Sequence, residues 1–192
     1  MASLIRYASQ DGAKFNGKVL RLAKLKYVVT SHAPFFSSRQ LQACLAPPPR
    51  PPRYRAALEL DALLEPRGWP SVLRTLEATN TTLTLEGLSV LLDRCIVTLR
   101  PEYLSCSTPH TFTYATPHVM VPTTALEEVA PTAAFILNAV LLPLCRKHGL
   151  PLLLRMGTRR GMNPTLRLAG DGCGPRASSR SGNYVPRTRR PR

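Results

Sequence analysis

The segment TTALEEVAPTAAFILNAVLLPLCRKHG, residues 123–149, is the most strongly patterned part of the chain. Thr124 and Glu127 have the spacing of a capping box, in which a hydroxyl and a carboxylate bond free amides at the start of a helix. The apolar run that follows ends in three basic residues and a glycine, which is typical of a helix C-terminus. The segment therefore predicts a buried helix over about 131–148, bent at Pro143 because proline removes one backbone hydrogen bond.

Short runs ahead of this helix predict the rest of the fold. Thr82–Leu85 alternates between polar and apolar residues, and Arg94–Arg100 is rich in residues that favour strands. Two more candidate strands, Thr111–Tyr114 and His118–Val121, are separated by proline, whereas Ala56–Leu64 places its leucines on one side as a helix does. We therefore expect an α+β fold in which the late helix covers one face of a small antiparallel sheet.

Charge is distributed unevenly along the 192 residues. The chain begins with ten Lys/Arg against one acid in residues 1–55 and ends with ten Arg against one acid in residues 155–192, and its net charge is +15. Basic ends of this kind attract a polyanion, either a nucleic-acid backbone or an anionic membrane leaflet. Composition predicts four regions, which are a basic N-terminal segment 1–45, a Pro-rich linker 46–55, an α+β core 56–157 and a disordered Arg-rich tail 158–192.

The basic N-terminal segment combines cations with an apolar stripe. Phe15, Val19 and Leu22 recur at helical spacing, although Leu20–Val29 also fits a strand. One interpretation is a core-packed element with a solvated basic edge, and the other is an interfacial segment whose cations face lipid phosphates or RNA. The candidate binding residues are Lys14, Lys18, Arg21, Lys24 and Lys26.

Two further stretches suggest binding to partners. Residues 46–55, APPPRPPRYR, predict a polyproline II linker, and within it Pro51, Pro52 and Tyr54 match the PPxY form that WW domains recognise. A stiff spacer explains the same residues without a ligand role. The C-terminal arginines fit a nucleic-acid contact or a nuclear-import signal, or else a solvated tail, and they are Arg176, Arg180, Arg187, Arg189, Arg190 and Arg192.

No pattern in the sequence nominates a catalytic or cofactor site. The thiols and imidazoles of Cys95, Cys106, His110 and His118 fit no regular zinc spacing. The five cysteines form no C-x-x-C pair and no secretory signal precedes them, which predicts reduced thiols in a protein that is not secreted. We therefore expect a non-enzymatic protein that needs neither metal nor cofactor.

The combination of these features resembles the matrix proteins of negative-strand RNA viruses. Pro51-Pro52-Arg53-Tyr54 looks like the late-budding motif of rhabdovirus-type matrix proteins. The order Gly68-Trp69-Pro70, candidate strands and then Ala133–Gly149 is similar in outline to the bornavirus matrix protein. The resemblance implies a homo-oligomeric layer between a lipid envelope and a ribonucleoprotein, found in the virion, the host cytoplasm and the inner membrane face.

Two functional hypotheses follow from the sequence. In the first, a matrix-like structural protein binds anionic lipid through its N-terminal cations, contacts RNA or nucleoprotein, and recruits a WW-domain ubiquitin ligase through Tyr54. In the second, a basic viral accessory protein binds nucleic acid in the nucleus through its Arg tail. A third possibility concerns the origin of the chain. A reading frame overprinted on another gene would fit its low content of acidic residues and its high content of Pro and Arg.

Overall fold

The structure, a computed structural model, describes residues 12–114, 131–159 and 172–173. Helices and strands alternate along these residues, so the predicted α+β class is confirmed. The elements in chain order are α1 Gly12–Leu22, β1 Val28–His32, α2 Ser38–Leu45, β2 Tyr54–Glu59, α3 Asp61–Leu64, a 3-10 turn Pro66–Gly68, α4 Trp69–Ala78, α5 Leu85–Leu99, β3 Leu104–Pro109, α6 Ala133–Ile136, a π-helical turn Leu137–Leu141, α7 Leu142–His148, β4 Leu152–Arg159 and β5 Gly172–Cys173.

The sheet is parallel, so the predicted antiparallel sheet is wrong. Its strands lie in the order β1-β2-β3-β4-β5, and β1 to β4 pair in parallel. Among the described strands, only the two-residue β5 pairs antiparallel, with the end of β4. Each connection between parallel neighbours contains at least one helix, which returns the chain to the starting edge before the next strand begins. The parallel strands follow one another in the sheet in the same order as in the sequence. Because connections between parallel strands are right-handed, all of these helices lie on one face of the sheet.

The hydrophobic core lies between the sheet and these helices. Leu58, Leu104 and Cys106 point to the same side of β2 and β3 and are fully buried. They belong to one cluster with helix residues such as Leu92 of α5 and Leu141 of the π-helical turn. The alternate strand residues face the other side of the sheet, and they include Arg55, Ala57, Glu59, Ser105, Ser107, Leu153 and Arg155.

Several local predictions are wrong, because a helix cap or burial in the fold decided the conformation. Thr82–Leu85 is not a strand, since the Thr84 hydroxyl accepts the Gly87 amide at 3.1 Å and caps α5. Arg94–Arg100 belongs to the last turns of that helix instead of a strand. Ala56–Leu64, predicted as a helix, contains most of β2 and then α3, because a strand buried on both faces is apolar throughout.

The late helix predicted over 131–148 is present as α6, the π-helical turn and α7. A π-helical turn directly precedes α7, whose second residue is Pro143, and the ring of Pro143 would clash with a carbonyl in a regular helix. The left-handed Gly149 ends the helix as expected, with φ of 63°. The predicted capping box at Thr124 and Glu127 lies outside the described residues, and Thr132 caps α6 instead.

Strand pairing joins two of the regions predicted from composition, and the bounds of those regions stay a prediction. β1 lies within residues 1–45 yet pairs with β2 along its full length. Thr111–Tyr114 contains no strand, because the Phe112 amide closes a turn on the Pro109 carbonyl. His118–Val121 lies outside the described residues. Among the described helices, none has the length and apolar character to cross a bilayer.

Candidate functional site

The parallel strands bring a group of charged residues to one edge of the sheet. In parallel sheets, ligands bind where the strands end, at the carboxyl edge. Here a cavity of about 500 Å³ lies at the ends of β1 and β2. Residues that follow these strands line it, together with the 3-10 turn and the start of α4, and they are Ala33, Phe35, Phe36, Glu59, Asp61, Ala62, Glu65, Arg67, Gly68 and Ser71.

Two carboxylates of the cavity wall, Glu59 and Asp61, contact Arg155. Arg155 Nη2 lies 3.2 Å from both Oδ1 and Oδ2 of Asp61 and 3.5 Å from Oε1 of Glu59. Partial burial lowers the pKa of Arg155, but the charges and hydrogen bonds of Asp61 and Glu59 outweigh burial and leave that pKa above its usual value. The side chain of Asp61 is only 15% exposed, so water screens this contact less than a surface pair.

The local sequence fixes the part of the cavity wall formed by the 3-10 turn and the start of α4. Gly68 is required there, because a Cβ atom would lie 2.3 Å from the Ala62 carbonyl oxygen. The Ser71 hydroxyl donates to the Gly68 carbonyl at 2.7 Å and joins the 3-10 turn to α4. These contacts hold Arg67 on the wall beside the carboxylates.

Arg67 is available to an incoming ligand. It is exposed, and among the described residues neither a hydrogen bond nor an ion pair engages its guanidinium. A guanidinium binds a carboxylate through two parallel hydrogen bonds, whereas carboxylates accept hydrogen bonds from hydroxyls. The described lining of the cavity therefore offers one cation for an anion and several acceptors for hydroxyl groups.

A second cavity, of about 430 Å³, lies between α5 and α7. Beside it, Asp93 Oδ1 accepts hydrogen bonds from Lys147 Nζ at 2.6 Å and His148 Nε2 at 2.7 Å. The hydrogen bond from Lys147, followed by the one from His148, holds the pKa of Asp93 below its usual value. This cluster ties α5 to α7 and contributes to the packing of the late helix.

The structure places the predicted N-terminal cations on or near α1. Lys18 and Arg21 lie on α1 and Lys24 and Lys26 follow it, and all four are exposed. Lys14 lies on the first half of the same helix. The helix buries Leu20, so its predicted apolar stripe does not form the main core contact.

The structure corrects the polyproline II prediction around Tyr54. The Tyr54 amide donates to the Pro51 carbonyl at 2.9 Å, and this bond closes a turn over Pro52 and Arg53. Tyr54 is the first residue of β2, is half-buried and pairs with Val28. Binding to a WW domain remains a prediction, and it would require this turn to open into an extended conformation.

The predicted nucleic-acid and nuclear-import arginines, Arg176, Arg180, Arg187, Arg189, Arg190 and Arg192, lie outside the described residues. Their role stays a prediction, as do the matrix-type function, the partners and the cellular location. No group of three or more potential metal ligands occurs among the residues that the structure describes.

Comparisons with known proteins bear on the fold. No protein-family model and no curated protein matches the chain. Its structure is similar to an uronate isomerase from Bacillus halodurans C-125, with 24% identity and a TM-score of 0.71 over 90% of this chain and 39% of the isomerase. It is also similar to glucuronate isomerase from Caulobacter crescentus, with 17% identity and a TM-score of 0.50 over 76% of this chain and 33% of that protein.

At these identities the likeness shows the fold alone. The chain spans less than half the length of either isomerase. Strands in sequential order with helices on one face are also the repeating arrangement of (β/α) barrels, in which ligands bind at the carboxyl edge.

Proposed function

We propose that this chain binds a small sugar acid at the carboxyl edge of its parallel sheet. The observation that carries the proposal is the contact of Arg155 with Glu59 and Asp61, on the wall of a cavity that also presents Arg67. Two isomerases with related folds are named for uronate and glucuronate, which supports this choice of ligand class.

The chemistry of the cavity wall matches such a ligand. A sugar acid carries one carboxylate and several hydroxyls on a compact ring or open chain. Arg67 pairs with the carboxylate, because it has no other described partner and lies at the wall. Glu59 and Asp61 accept hydrogen bonds from hydroxyls, while the contacts with Arg155 hold these carboxylates in position.

Ring stacking adds an apolar contact to this recognition. Phe36 is 83% exposed and belongs to the same cavity, whereas Phe35 beside it is buried. An exposed aromatic face suits the apolar face of a sugar, so we assign Phe36 the role of a platform. The proposal concerns binding, and the prediction that the chain is not an enzyme is separate and untested.

Isothermal titration of the full chain with D-glucuronate, D-galacturonate, D-glucose and propionate tests the proposal. We expect the two uronates to bind, and glucose and propionate to bind at least tenfold more weakly because each offers half of the contacts. Arg67→Gln should weaken uronate binding by about ten- to a hundredfold, since a hydrogen bond to a charged group contributes about 1.5–3 kcal/mol.

Arg74→Gln is the matched control, because Arg74 is an exposed arginine of α4 that does not line the cavity. It should bind uronate as the wild type does. Absence of uronate binding by the wild type would overturn the proposal, as would equal binding of glucose and glucuronate.

A further inference from the structure

The cations predicted on and after α1 share their surface with exposed apolar side chains. Lys18 and Leu22 lie four residues apart on the helix side opposite the buried Leu20. Leu22 is 74% exposed, which is unusual for a leucine on a helix that packs against a fold. We call this surface the basic apolar ridge, and it consists of Lys18, Val19, Arg21, Leu22, Lys24, Leu25, Lys26 and Tyr27.

Backbone hydrogen bonds hold the ridge in one conformation. The Lys24 amide donates to the Arg21 carbonyl at 3.0 Å, and the Leu25 amide donates to the Leu20 carbonyl at 2.9 Å. These two bonds form a Schellman motif, with Lys24 in the left-handed region at a φ of 54°. The chain therefore turns sharply after the helix and keeps Lys24 and Leu25 beside its last turn.

The fold also anchors the far end of the ridge. Arg53 Nη1 donates to the Leu25 carbonyl at 3.0 Å, and the Val28 amide donates to the Arg53 carbonyl at 2.9 Å. The guanidinium of Arg55 lies 4.9 Å from the centre of the Tyr27 ring. The ridge is thus a fixed surface on which cations and apolar side chains alternate.

This alternation distinguishes between two kinds of polyanion. A nucleic acid binds to cations that follow its backbone and to aromatic rings that stack on bases. The only aromatic ring of the ridge, Tyr27, already contacts Arg55, and its other apolar side chains are aliphatic. Aliphatic side chains between cations suit a bilayer interface, where the cations meet lipid phosphates and the apolar groups enter the acyl boundary.

We propose that the basic apolar ridge docks on a bilayer surface that contains anionic lipid. This site is separate from the sugar-acid cavity and does not depend on it. Each cation within a Debye length of such a surface strengthens partition by roughly fivefold. Val19 and Leu22 add apolar contact that a purely electrostatic surface lacks.

Flotation of the full chain with two kinds of vesicle tests the proposal. One kind contains phosphatidylcholine alone, and the other contains phosphatidylcholine with about 30% phosphatidylserine. We expect binding only to the anionic vesicles, and a steep fall in binding as salt rises. Lys18→Glu with Arg21→Glu should weaken partition by about thirtyfold or more. Val19→Ser with Leu22→Ser should weaken it by about tenfold while net charge is unchanged.

Two controls separate the ridge from overall charge. Arg94→Glu with Arg146→Glu changes net charge equally at exposed arginines of α5 and α7 and should leave partition within about threefold of the wild type. Replacing Arg187, Arg189, Arg190 and Arg192 with glutamine tests the tail. Circular dichroism and thermal melting confirm that each variant folds.

Three results would overturn the proposal. The first is equal loss of partition in the ridge and control reversals, which would leave only net charge. The second is loss of flotation in the tail variant alone, or an RNA shift by the wild type without vesicle binding. The third is a dimer, seen by sedimentation, that Val19→Ser with Leu22→Ser abolishes without any change in flotation, because the ridge would then bind a second copy.

Discussion

The two faces of the sheet have different roles, although the same strands form both. In β2, Leu58 enters the helix-covered core, whereas the next residue, Glu59, reaches the cavity and contacts Arg155. In β3, Leu104 is fully buried on the core face, and Ser105 lies on the other. Neighbouring residues on a strand point to opposite faces, so one face packs leucines against the helices while the other contributes Glu59 and Arg155 to the charged cluster.

The two faces should therefore respond differently to substitution. Removing apolar volume from the helix-covered face costs stability, because the close-packed interior relaxes only partly. Removing charge from the other face should change binding and cost much less stability, because the side chains of Arg155 and Glu59 are 48% and 30% exposed. Each prediction below tests this difference, from the largest expected effect to the smallest.

Leu58→Ala should give the largest effect. The leucine is fully buried between β2 and the helices, so the substitution leaves a cavity and should lower the free energy of unfolding by about 2–5 kcal/mol. Urea unfolding followed by circular dichroism measures the change. Leu153→Ala on the other face is the matched control, because that leucine is 49% exposed, and equal losses would contradict the assignment of the two faces.

Gly68→Ala should have an intermediate effect on both stability and binding. The new Cβ would meet the backbone of Ala62, which cannot move without shifting α3, so we expect a loss of about 1–3 kcal/mol. The same shift would move Arg67 and weaken uronate binding in calorimetric titration. Gly17→Ala is the control, since nothing lies within 4 Å of a Cβ there. An unchanged melting temperature for Gly68→Ala would show that the turn is not tightly packed.

Arg155→Gln should separate binding from stability. The arginine side chain is 48% exposed, so its loss should cost about 1 kcal/mol of stability or less, much of it from leaving Asp61 and Glu59 without their cation. Uronate binding should fall more steeply, because the two carboxylates would repel each other and lose their positions. If Arg155→Gln lost as much stability as Leu58→Ala and still bound uronate normally, the roles assigned to the two faces would be contradicted.

Asp93→Asn should show the smallest effect and a dependence on pH. The hydrogen bonds from Lys147 and His148 lower the pKa of Asp93 in the folded state. Asp93 therefore stabilises the fold at pH values above the unfolded carboxylate pKa of about 4. This contribution is lost as the pH falls through the pKa of Asp93 in the folded state. Lys147 is mostly exposed, so the effect should be at most about 1 kcal/mol at neutral pH. Urea unfolding at pH 7 and pH 3 measures it. The difference between the variant and the wild type should be smaller at pH 3 than at pH 7, and a difference that grows on acidification would contradict this sign.

Where the signal is local, the sequence predicted structure well. The long apolar run and its basic end predicted the late helix, and Gly149 ends it in the left-handed conformation. Charge and spacing also predicted the exposed cations of the ridge, because a helical period is visible in any single segment. The strand interpretations failed at Thr82–Leu85 and Arg94–Arg100, where the capping hydroxyl of Thr84 and burial against neighbouring helices decide the conformation.

The candidate cavity was not predicted. Asp61 follows the apolar run of β2, and Arg155 interrupts the apolar run of β4. A charged residue within or directly after an apolar strand is the signal that was missed. Even with that signal, a carboxylate and a guanidinium 94 residues apart could not be paired from the sequence.

The sequence by itself determined the α+β class and the late helix, because these depend on residues close together in the chain. Only the tertiary structure decided that the sheet is parallel and that Glu59, Asp61 and Arg155 meet. A strand runs parallel to its neighbour when the connecting helix carries the chain back to the edge of the sheet where the first strand began. The helices take this path because they bury the hydrophobic core against the sheet.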